Sequence, residues 1–177
     1  MVLRIEQINA QRSAAAAANI EMLMQEKGLD ILCIQEPFCY KGKVRGCNSP
    51  KLTKIQLQNC EKSWVAAVVK KDTVDILVSV GEEYEHIMCF KAITGDSELI
   101  IINAYCQYSL PLEGFLDKIE RFLNNFQNEN LLITMDSNAR SELWFDKVTD
   151  GKEILLEEFI YEQDFTILNK TISHPLL

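Results

Sequence analysis

The chain has 177 residues, of which 47% are hydrophobic and 25% charged, and its net charge is −8. The length predicts one domain, and the composition excludes a disordered, fibrous or disulfide-held mini-protein. No apolar run approaches the roughly 18 residues that span a bilayer, and the acidic balance argues against a wide basic face for nucleic acid. Because there is no secretory pattern and no C-x-x-C pair, we expect a reduced intracellular protein without membrane association.

The first third of the sequence predicts a strand, a helix and a second strand. Apolar and polar residues alternate over Leu3–Ile8, and a serine cap at Ser13 opens a helix that ends at Lys27-Gly28. Leu29–Ile34 is nearly all apolar, which is typical of a strand covered on both faces. We therefore expect a parallel crossover, followed over residues 37–62 by a long irregular loop.

The rest of the sequence predicts further strands and two helices. Strand-like segments with tight connections indicate an antiparallel meander, at residues 64–70, 74–80, 85–92 and 98–104. A helix, a buried strand, a second helix and a last strand follow, at residues 111–126, 131–134, 151–162 and 165–168. The elements predict the α/β class, as a four-layer α-β-β-α sandwich with two mixed sheets between helices, in one domain over residues 1–177.

Polar residues interrupt the apolar strands where each strand ends. They are an amide, a carboxylate, a phenol, and a carboxylate with an amide: Asn9, Glu36, Tyr105, and Asp136 with Asn138. In sheet proteins, ligands gather where strands end and loops begin. We therefore expect these side chains to converge on one oxygen-rich pocket.

This set of side chains suits magnesium and a phosphate ester. Glu36 and Asn9 offer hard oxygen ligands to Mg²⁺, which takes one or two carboxylates and keeps several waters. Asp136 would accept a proton from an attacking water or orient it, and Asn138 and Tyr105 would donate hydrogen bonds to phosphate oxygens. Each residue also suits a structural role, in a turn, on the surface or, for Tyr105, as a half-buried core aromatic. The residues by themselves leave both interpretations open.

Four short motifs resemble, in order and rough spacing, those of the endonuclease/exonuclease/phosphatase superfamily, which includes deoxyribonuclease I and the abasic-site endonucleases. They are Gln7-Ile8-Asn9, Gln35-Glu36-Pro37, Asn103-Ala104-Tyr105 and Asp136-Ser137-Asn138. The run from Asp136 to Trp144 is similar, more narrowly, to the endonuclease domain of non-LTR retrotransposons. The resemblance covers residues 3–170 and implies a deoxyribonuclease I-like sandwich whose last strands are missing at the C-terminus.

The resemblance also implies a role for each candidate residue. Glu36 would be the principal ligand of Mg²⁺, for which Mn²⁺ could substitute, and Asn9 would assist near the metal. Tyr105 would contact the scissile phosphate, Asp136 would orient or activate water, and Asn138 would stabilise the pentavalent transition state. The implied reaction is a nick in double-stranded target DNA, made in the nucleus, that primes a reverse transcriptase encoded downstream in the same polyprotein.

The sequence departs from the family pattern at its end. Family members continue into two more strands and a Ser-Asp-His motif, whereas this chain stops at Leu177. His86 is expected to be a mid-strand packing or surface residue, and His174 precedes the position of the final strands. We therefore expect weak or no nicking by the 177-residue chain and magnesium-dependent nicking by an extended version. The alternatives are a catalytically inactive remnant that serves as a globular interaction domain, and another phosphoesterase of the superfamily.

Basic side chains supply the candidates for DNA contact. Lys41, Lys43 and Arg45 lie in the long loop, and Arg140 lies in the retrotransposon-like run. Basic loop residues can meet a phosphate backbone, but a solvated flexible loop is the structural alternative.

Overall fold

The computed structural model describes residues 2–57, 62–78, 85–127, 129–144 and 151–169. These residues form two packed four-stranded sheets with helices on the outer faces, so the predicted α-β-β-α sandwich with two mixed sheets is confirmed. Among them, no helix has the length and apolar character needed to cross a membrane.

The first sheet is built from the N-terminal part of the chain, in the strand order β1-β2-β6-β5. Its strands are β1 (Ile5–Asn9), β2 (Ile31–Gln35), β6 (Val65–Lys70) and β5 (Leu52–Gln56). β1 and β2 run parallel, whereas β6 is antiparallel to both of its neighbours. The central strands β2 and β6 are apolar and buried on both faces, as the run at Leu29–Ile34 predicted.

The crossover between β1 and β2 is a pair of short helices, α1 (Ala14–Ala18) and α2 (Ile20–Lys27). The predicted cap is present, because the Ser13 Oγ accepts a hydrogen bond from the Ala16 N–H at 3.2 Å. Gly28 ends α2 in the left-handed conformation, at φ 60°. The helix is interrupted at Asn19, so the single predicted helix is two. Their buried face, which includes Ile20 and Met24, covers the outer side of the first sheet.

The second sheet has the strand order β10-β9-β8-β7. Its strands are β10 (Leu131–Asp136), β9 (Ser97–Tyr105), β8 (Ile87–Thr94) and β7 (Asp75–Val78). β9 and β10 are parallel and are joined by α3 (Leu112–Asn125), whose apolar stripe packs on the outer face of the sheet together with α4 (Gly151–Glu162). Each sheet therefore contains one parallel crossover.

The core between the two sheets consists of aliphatic and aromatic side chains that both sheets contribute. Ile31, Val65 and Val69 of the first sheet meet Phe90 and Ile101 of the second, and all five are fully buried. Burying such a side chain contributes roughly 1.5–3 kcal/mol. This contact fixes the ends of the strands of one sheet against those of the other.

Residues 37–62 are not an irregular loop throughout, so that prediction was wrong. They contain the hairpin β3 (Cys39–Tyr40) and β4 (Lys43–Val44), followed by β5. Lys41 and Gly42 both have positive φ, at 51° and 69°, as a two-residue hairpin turn requires. The glycines and prolines that interrupt the sequence pattern mark turns between short strands, and β5 gains its stability by pairing with β6.

Two further strand predictions were wrong in detail. The predicted meander of four strands is a meander of three, because β6 pairs with β2 and β5, and the turn after Lys70 leads into the other sheet. Residues 165–168 do not form a strand: Phe165 packs against Phe159 of α4, with ring centroids 6.3 Å apart.

Candidate active site

The carboxyl ends of four strands meet at one edge of the sandwich. In the first sheet Asn9 is opposite Gln35, so Glu36 follows immediately at the same edge. In the second sheet Asp136 is opposite Tyr105. Parallel crossovers bring the ends of both of their strands to the same side, and the packing of the two sheets superimposes these sides.

One side-chain amide joins the two carboxylates. Asn9 Nδ2 donates a hydrogen bond to Glu36 Oε1 at 2.9 Å and another to Asp136 Oδ2 at 2.6 Å. Asn9 Oδ1 accepts a hydrogen bond from the Gln11 N–H at 2.8 Å, which fixes the orientation of the amide. The Glu36 carboxylate at the first sheet and the Asp136 carboxylate at the second therefore contact the same amide group.

Tyr105 and Asn138 complete the cluster. The Asn138 N–H donates to Asp136 Oδ1 at 3.1 Å, and Asn138 Nδ2 donates to the Cys106 carbonyl at 2.9 Å. The Tyr105 hydroxyl is hydrogen-bonded to Glu36 and to Asn138. Burial, together with the hydrogen bond to Glu36 and its negative charge, raises the pKa of Tyr105 to about 12. The hydroxyl is therefore a protonated donor at neutral pH.

The backbone of this cluster is partly in the left-handed region. Glu36 has φ 48° and Asn138 has φ 51°. Such residues cost on the order of 1–3 kcal/mol and persist where surrounding contacts hold them. The Glu36 N–H donates to the Trp64 carbonyl at 2.9 Å, and the Glu36 carbonyl accepts from the Arg12 N–H at 2.8 Å. These bonds turn the Glu36 side chain away from the strand and toward Asn9.

Asn103, which lies near the end of β9 two positions before Tyr105, does not belong to the pocket. It is fully buried between the sheets, where its Oδ1 accepts from Gln35 Nε2 at 2.7 Å and from Thr134 Oγ1 at 3.3 Å. Its Nδ2 donates to the carbonyls of Ile34 and Ala66. The reason is position along the strand: Asn103 and Tyr105 are two positions apart and share one face of β9, but Tyr105 is the last residue of the strand and only its side chain reaches the rim.

Three aromatic rings stack beside Glu36. Trp64 is 5.1 Å from His86 and 5.4 Å from Tyr105 between ring centroids, with the rings nearly parallel. Two cations face the indole: Arg12 Cζ lies 4.0 Å and Lys62 Nζ 4.8 Å from its centroid.

The sequence analysis missed Trp64, Arg12 and Lys62 as site neighbours. It considered only strands that end at this edge, whereas antiparallel strands begin there. Trp64 precedes β6, and His86 precedes β8, where its carbonyl accepts from the Tyr105 N–H at 2.9 Å. Applying the same rule to antiparallel neighbours would have identified both aromatic residues.

A cleft of about 380 Å³ opens beside the cluster. Asn9, Asp136 and Asn138 line it, together with Arg140 and Trp144. The hairpin residues Lys41, Lys43 and Arg45 are exposed on β3–β4 and do not line this cleft. Lys41 Nζ and Arg45 Cζ each lie 5.5 Å from the ring of Tyr40, which is itself exposed.

The donor set is compatible with a hard divalent cation. In the described ranges, no group of three or more His, Cys, Asp or Glu residues is arranged to enclose a metal ion. Mg²⁺ does not need such a cage, because it is usually held by one or two carboxylates, with waters and substrate phosphates completing the shell. Glu36, with Asn9 beside it and a second carboxylate at Asp136, provides this kind of open site.

Residues 99–176 match the sequence family described as "Endonuclease-reverse transcriptase". A curated relative is the "Retrovirus-related Pol polyprotein from type-1 retrotransposable element R1" of Bradysia coprophila, which is 25% identical over 139 aligned residues. The alignment covers 73% of this chain and 14% of that protein, so the chain spans a small part of its relative. The resemblance to retrotransposon endonucleases seen in the sequence is confirmed.

Solved structures show the same fold. The "Endonuclease domain of TRAS1, a telomere-specific non-LTR retrotransposon" matches with a TM-score of 0.82 and 24% identity, covering 96% of this chain and 74% of that one. Humanized D. rerio TDP2 matches with a TM-score of 0.56 and 10% identity, over 78% and 63% of the two chains. The human Nocturnin catalytic domain gives 0.55 and 13%, over 78% and 64%. The predicted deoxyribonuclease I-like fold is confirmed.

Proposed function

From its similarity to the endonuclease domains of non-LTR retrotransposons, we propose that this chain is a magnesium-dependent endonuclease domain that nicks double-stranded DNA. One observation supports the proposal above all: five polar residues from two sheets form a single hydrogen-bonded cluster at the strand ends. They are Asn9, Glu36, Tyr105, Asp136 and Asn138.

In this proposal Glu36 holds the metal ion and Asn9 assists. When bound, Mg²⁺ supplies a positive charge that polarises a phosphoryl oxygen and offsets the charge of the transition state. Asn9 holds the Glu36 and Asp136 carboxylates side by side by donating to both. Mn²⁺ would substitute, because it also prefers carboxylate and carbonyl oxygens.

The remaining three residues act on water and phosphate. Asp136 accepts a proton from the attacking water or orients it, and the Asn138 N–H bond to its Oδ1 fixes the direction of the carboxylate. The Tyr105 hydroxyl, protonated because of its raised pKa, donates to a phosphate oxygen. Asn138, whose side-chain amide is oriented by the Cys106 carbonyl and the Tyr105 hydroxyl, stabilises the pentavalent transition state by donating to one of its oxygens in place of Tyr105.

DNA would be held by basic side chains around the cleft. Arg140 lines the cleft, and Lys41, Lys43 and Arg45 are exposed on the β3–β4 hairpin. A DNA substrate puts the reaction in the nucleus, where the nick would prime a reverse transcriptase of the same polyprotein. The net charge of −8 limits the DNA contact to such local basic groups.

The proposal is tested by the nicking of supercoiled plasmid with Mg²⁺, using the 177-residue chain and a version extended through the Ser-Asp-His segment. Glu36→Ala and Asp136→Ala are expected to abolish the nicking, whereas Glu26→Ala and Asp117→Ala, on exposed helix faces, keep it. EDTA should stop the reaction. Equal nicking by all four variants would exclude these carboxylates from the mechanism.

A second measurement does not depend on turnover. Mn²⁺ binding to the 177-residue chain, followed by electron paramagnetic resonance, should be lost in Glu36→Gln and retained in Glu26→Gln. Binding that persists in Glu36→Gln would exclude Glu36 as the principal ligand. An inactive chain that still binds DNA without metal would instead favour the interaction-domain alternative.

A further inference from the structure

The loop after β1 has an unusual backbone. Gln11 and Arg12 both have positive φ, at 48° and 52°. Two consecutive left-handed residues other than glycine are rare and strained, so other contacts must hold them. The Arg12 N–H donates to the Glu36 carbonyl, the Gln11 N–H to Asn9 Oδ1, and the Ser13 N–H to the Ala10 carbonyl, each at 2.8 Å. Arg12 is thereby fixed relative to the two proposed metal-site residues.

The Arg12 guanidinium lies over the indole ring of Trp64 rather than in an ion pair. Its Cζ is 4.0 Å from the Trp64 centroid, and Trp64 in turn stacks on Tyr105. The ion pairs found among the described residues do not include Arg12. Its Nη2 is buried and has no hydrogen-bond partner. A buried donor without an acceptor is costly, so this atom is set up for an acceptor that comes from outside the chain.

The surroundings of Arg12 are locally positive in an acidic protein. Lys62 Nζ lies 4.8 Å from the same indole ring. Burial raises the pKa of the Cys39 thiol, and the charges of Arg12 and Lys62 oppose that rise, so both cations act on the same small region. A positive pair beside a carboxylate cluster attracts an anion to one side of that cluster.

We propose that Arg12 binds a backbone phosphate of the DNA strand, next to the phosphate that Glu36 and Tyr105 face. This inference rests on the proposed function and assigns it a substrate-binding residue. Stacking on an aromatic ring leaves the edge of a guanidinium free for a planar, bidentate contact, which matches phosphate oxygens. Trp64 holds the plane of Arg12, and Lys62 adds a second positive charge.

The test is the binding of a fluorescently labelled DNA duplex to the full 177-residue chain, followed by anisotropy in EDTA between 50 and 200 mM NaCl, conditions spanning the range where phosphate contacts are salt-sensitive. Arg12→Ala is expected to weaken binding about 10-fold at the lower salt and to reduce the slope of log K against log [NaCl] by about 1. Arg12→Lys should keep the slope and weaken binding less, because the charge remains. Arg121→Ala, an exposed arginine on α3, is the matched control and should behave as wild type.

Thermal melting of each variant separates a binding loss from a folding loss. An Arg12→Ala variant that melts like wild type and keeps its affinity and slope would overturn the proposal, and plasmid nicking that depends on Glu36 would stand. A wild type without salt-dependent duplex binding would overturn both the DNA substrate and the role of Arg12. Mn²⁺ binding at Glu36 then shows whether the metal site survives.

Discussion

Two polar clusters lie one residue apart along the same strands, and they differ in almost every physical respect. The inner cluster joins Gln35 of β2 to Asn103 of β9, and both residues are at most 1% exposed. The outer cluster joins Glu36, which follows β2, to Asn9 and Asp136, and it opens onto a cleft. The inner cluster contains neutral amides and a hydroxyl, whereas the outer one contains two carboxylates.

The inner cluster is complete and the outer cluster is not. Asn103 uses both amide hydrogens and accepts two hydrogen bonds, which is the full capacity of its side chain. The carboxylates of the outer cluster retain lone pairs that face solvent and are available to a ligand. The inner cluster, whose hydrogen bonds are complete, lies beneath the outer cluster and fixes the two sheets against each other. It therefore supports the geometry of the outer cluster without taking part in the reaction. Substitutions in the inner cluster are therefore expected to lower the free energy of unfolding, whereas substitutions in the outer cluster are expected to lower activity.

The largest loss of nicking activity is expected for Asp136→Asn. The variant keeps an acceptor for Asn9 but loses the charge and basicity, so plasmid nicking should fall about 10³-fold relative to a parent of the same length. The free energy of unfolding, measured with urea, should stay equal or rise, because one of two neighbouring negative charges is removed. An Asp136→Asn variant with a lower free energy of unfolding as well as lower activity would contradict this difference between the two clusters.

Asn103→Leu should show the opposite pattern. It leaves Gln35 Nε2 and Thr134 Oγ1 without the acceptor that they share and removes a second hydrogen bond from the carbonyls of Ile34 and Ala66, so the free energy of unfolding should fall by about 3 kcal/mol. Urea denaturation measures the change, and the folded fraction should still nick. The double variant Gln35→Leu/Asn103→Leu should lose less than the two single changes added together, since both side chains are then apolar. Strict additivity would show that the two amides act independently.

Tyr105 lies between the inner and the outer cluster, and Tyr105→Phe tests the role of its hydroxyl. The ring that stacks on Trp64 remains, but the hydroxyl bonded to Glu36 and Asn138 is lost. Nicking should fall about 10²-fold, as for the loss of one donor to a developing negative charge, with little change in melting temperature. Wild-type activity in Tyr105→Phe would assign this residue to packing alone.

The smallest effect is expected for Thr134→Val. The change keeps the shape and removes a hydroxyl that donates to Asn103 Oδ1 at 3.3 Å, while Gln35 still donates to the same oxygen. The free energy of unfolding should fall by about 1 kcal/mol, and nicking should be unaffected. A fall as large as that of Asn103→Leu would mean that the hydroxyl, rather than the amide pair, holds the inner cluster together.

The pattern of the sequence was sufficient to predict the layers and the two crossovers, because buried parallel strands read as apolar runs and α3 has a clear stripe. It was also sufficient to predict that Asn9, Glu36, Tyr105 and Asp136 lie close together, because their placement follows from where apolar strands stop. These signals are local, and the sheet geometry converts them into proximity.

Other features depend on contacts between distant segments and have no local signal. β6 has the same sequence pattern as the strands of the meander. Both of its faces are buried, and it pairs with β2 and β5 in the first sheet instead. Asn103 and Tyr105 look equivalent in sequence and share one face of β9, and only their depth between the packed sheets separates a buried amide from a rim phenol. Arg12 has no distinguishing neighbours in the chain, and its position depends on a turn held by Glu36.

The order of the two sheets along the chain has a consequence for assembly. Every strand of the first sheet precedes Lys71, and every described strand of the second follows Thr73. Asn9 and Glu36 therefore come from one half of the polypeptide, and Tyr105, Asp136 and Asn138 from the other. Cleavage at this turn would give two inert fragments whose reassociation restores the cluster. Under the proposed function, nicking activity would report the reassociation of the two fragments, and a folding intermediate with one sheet formed would lack part of the cluster.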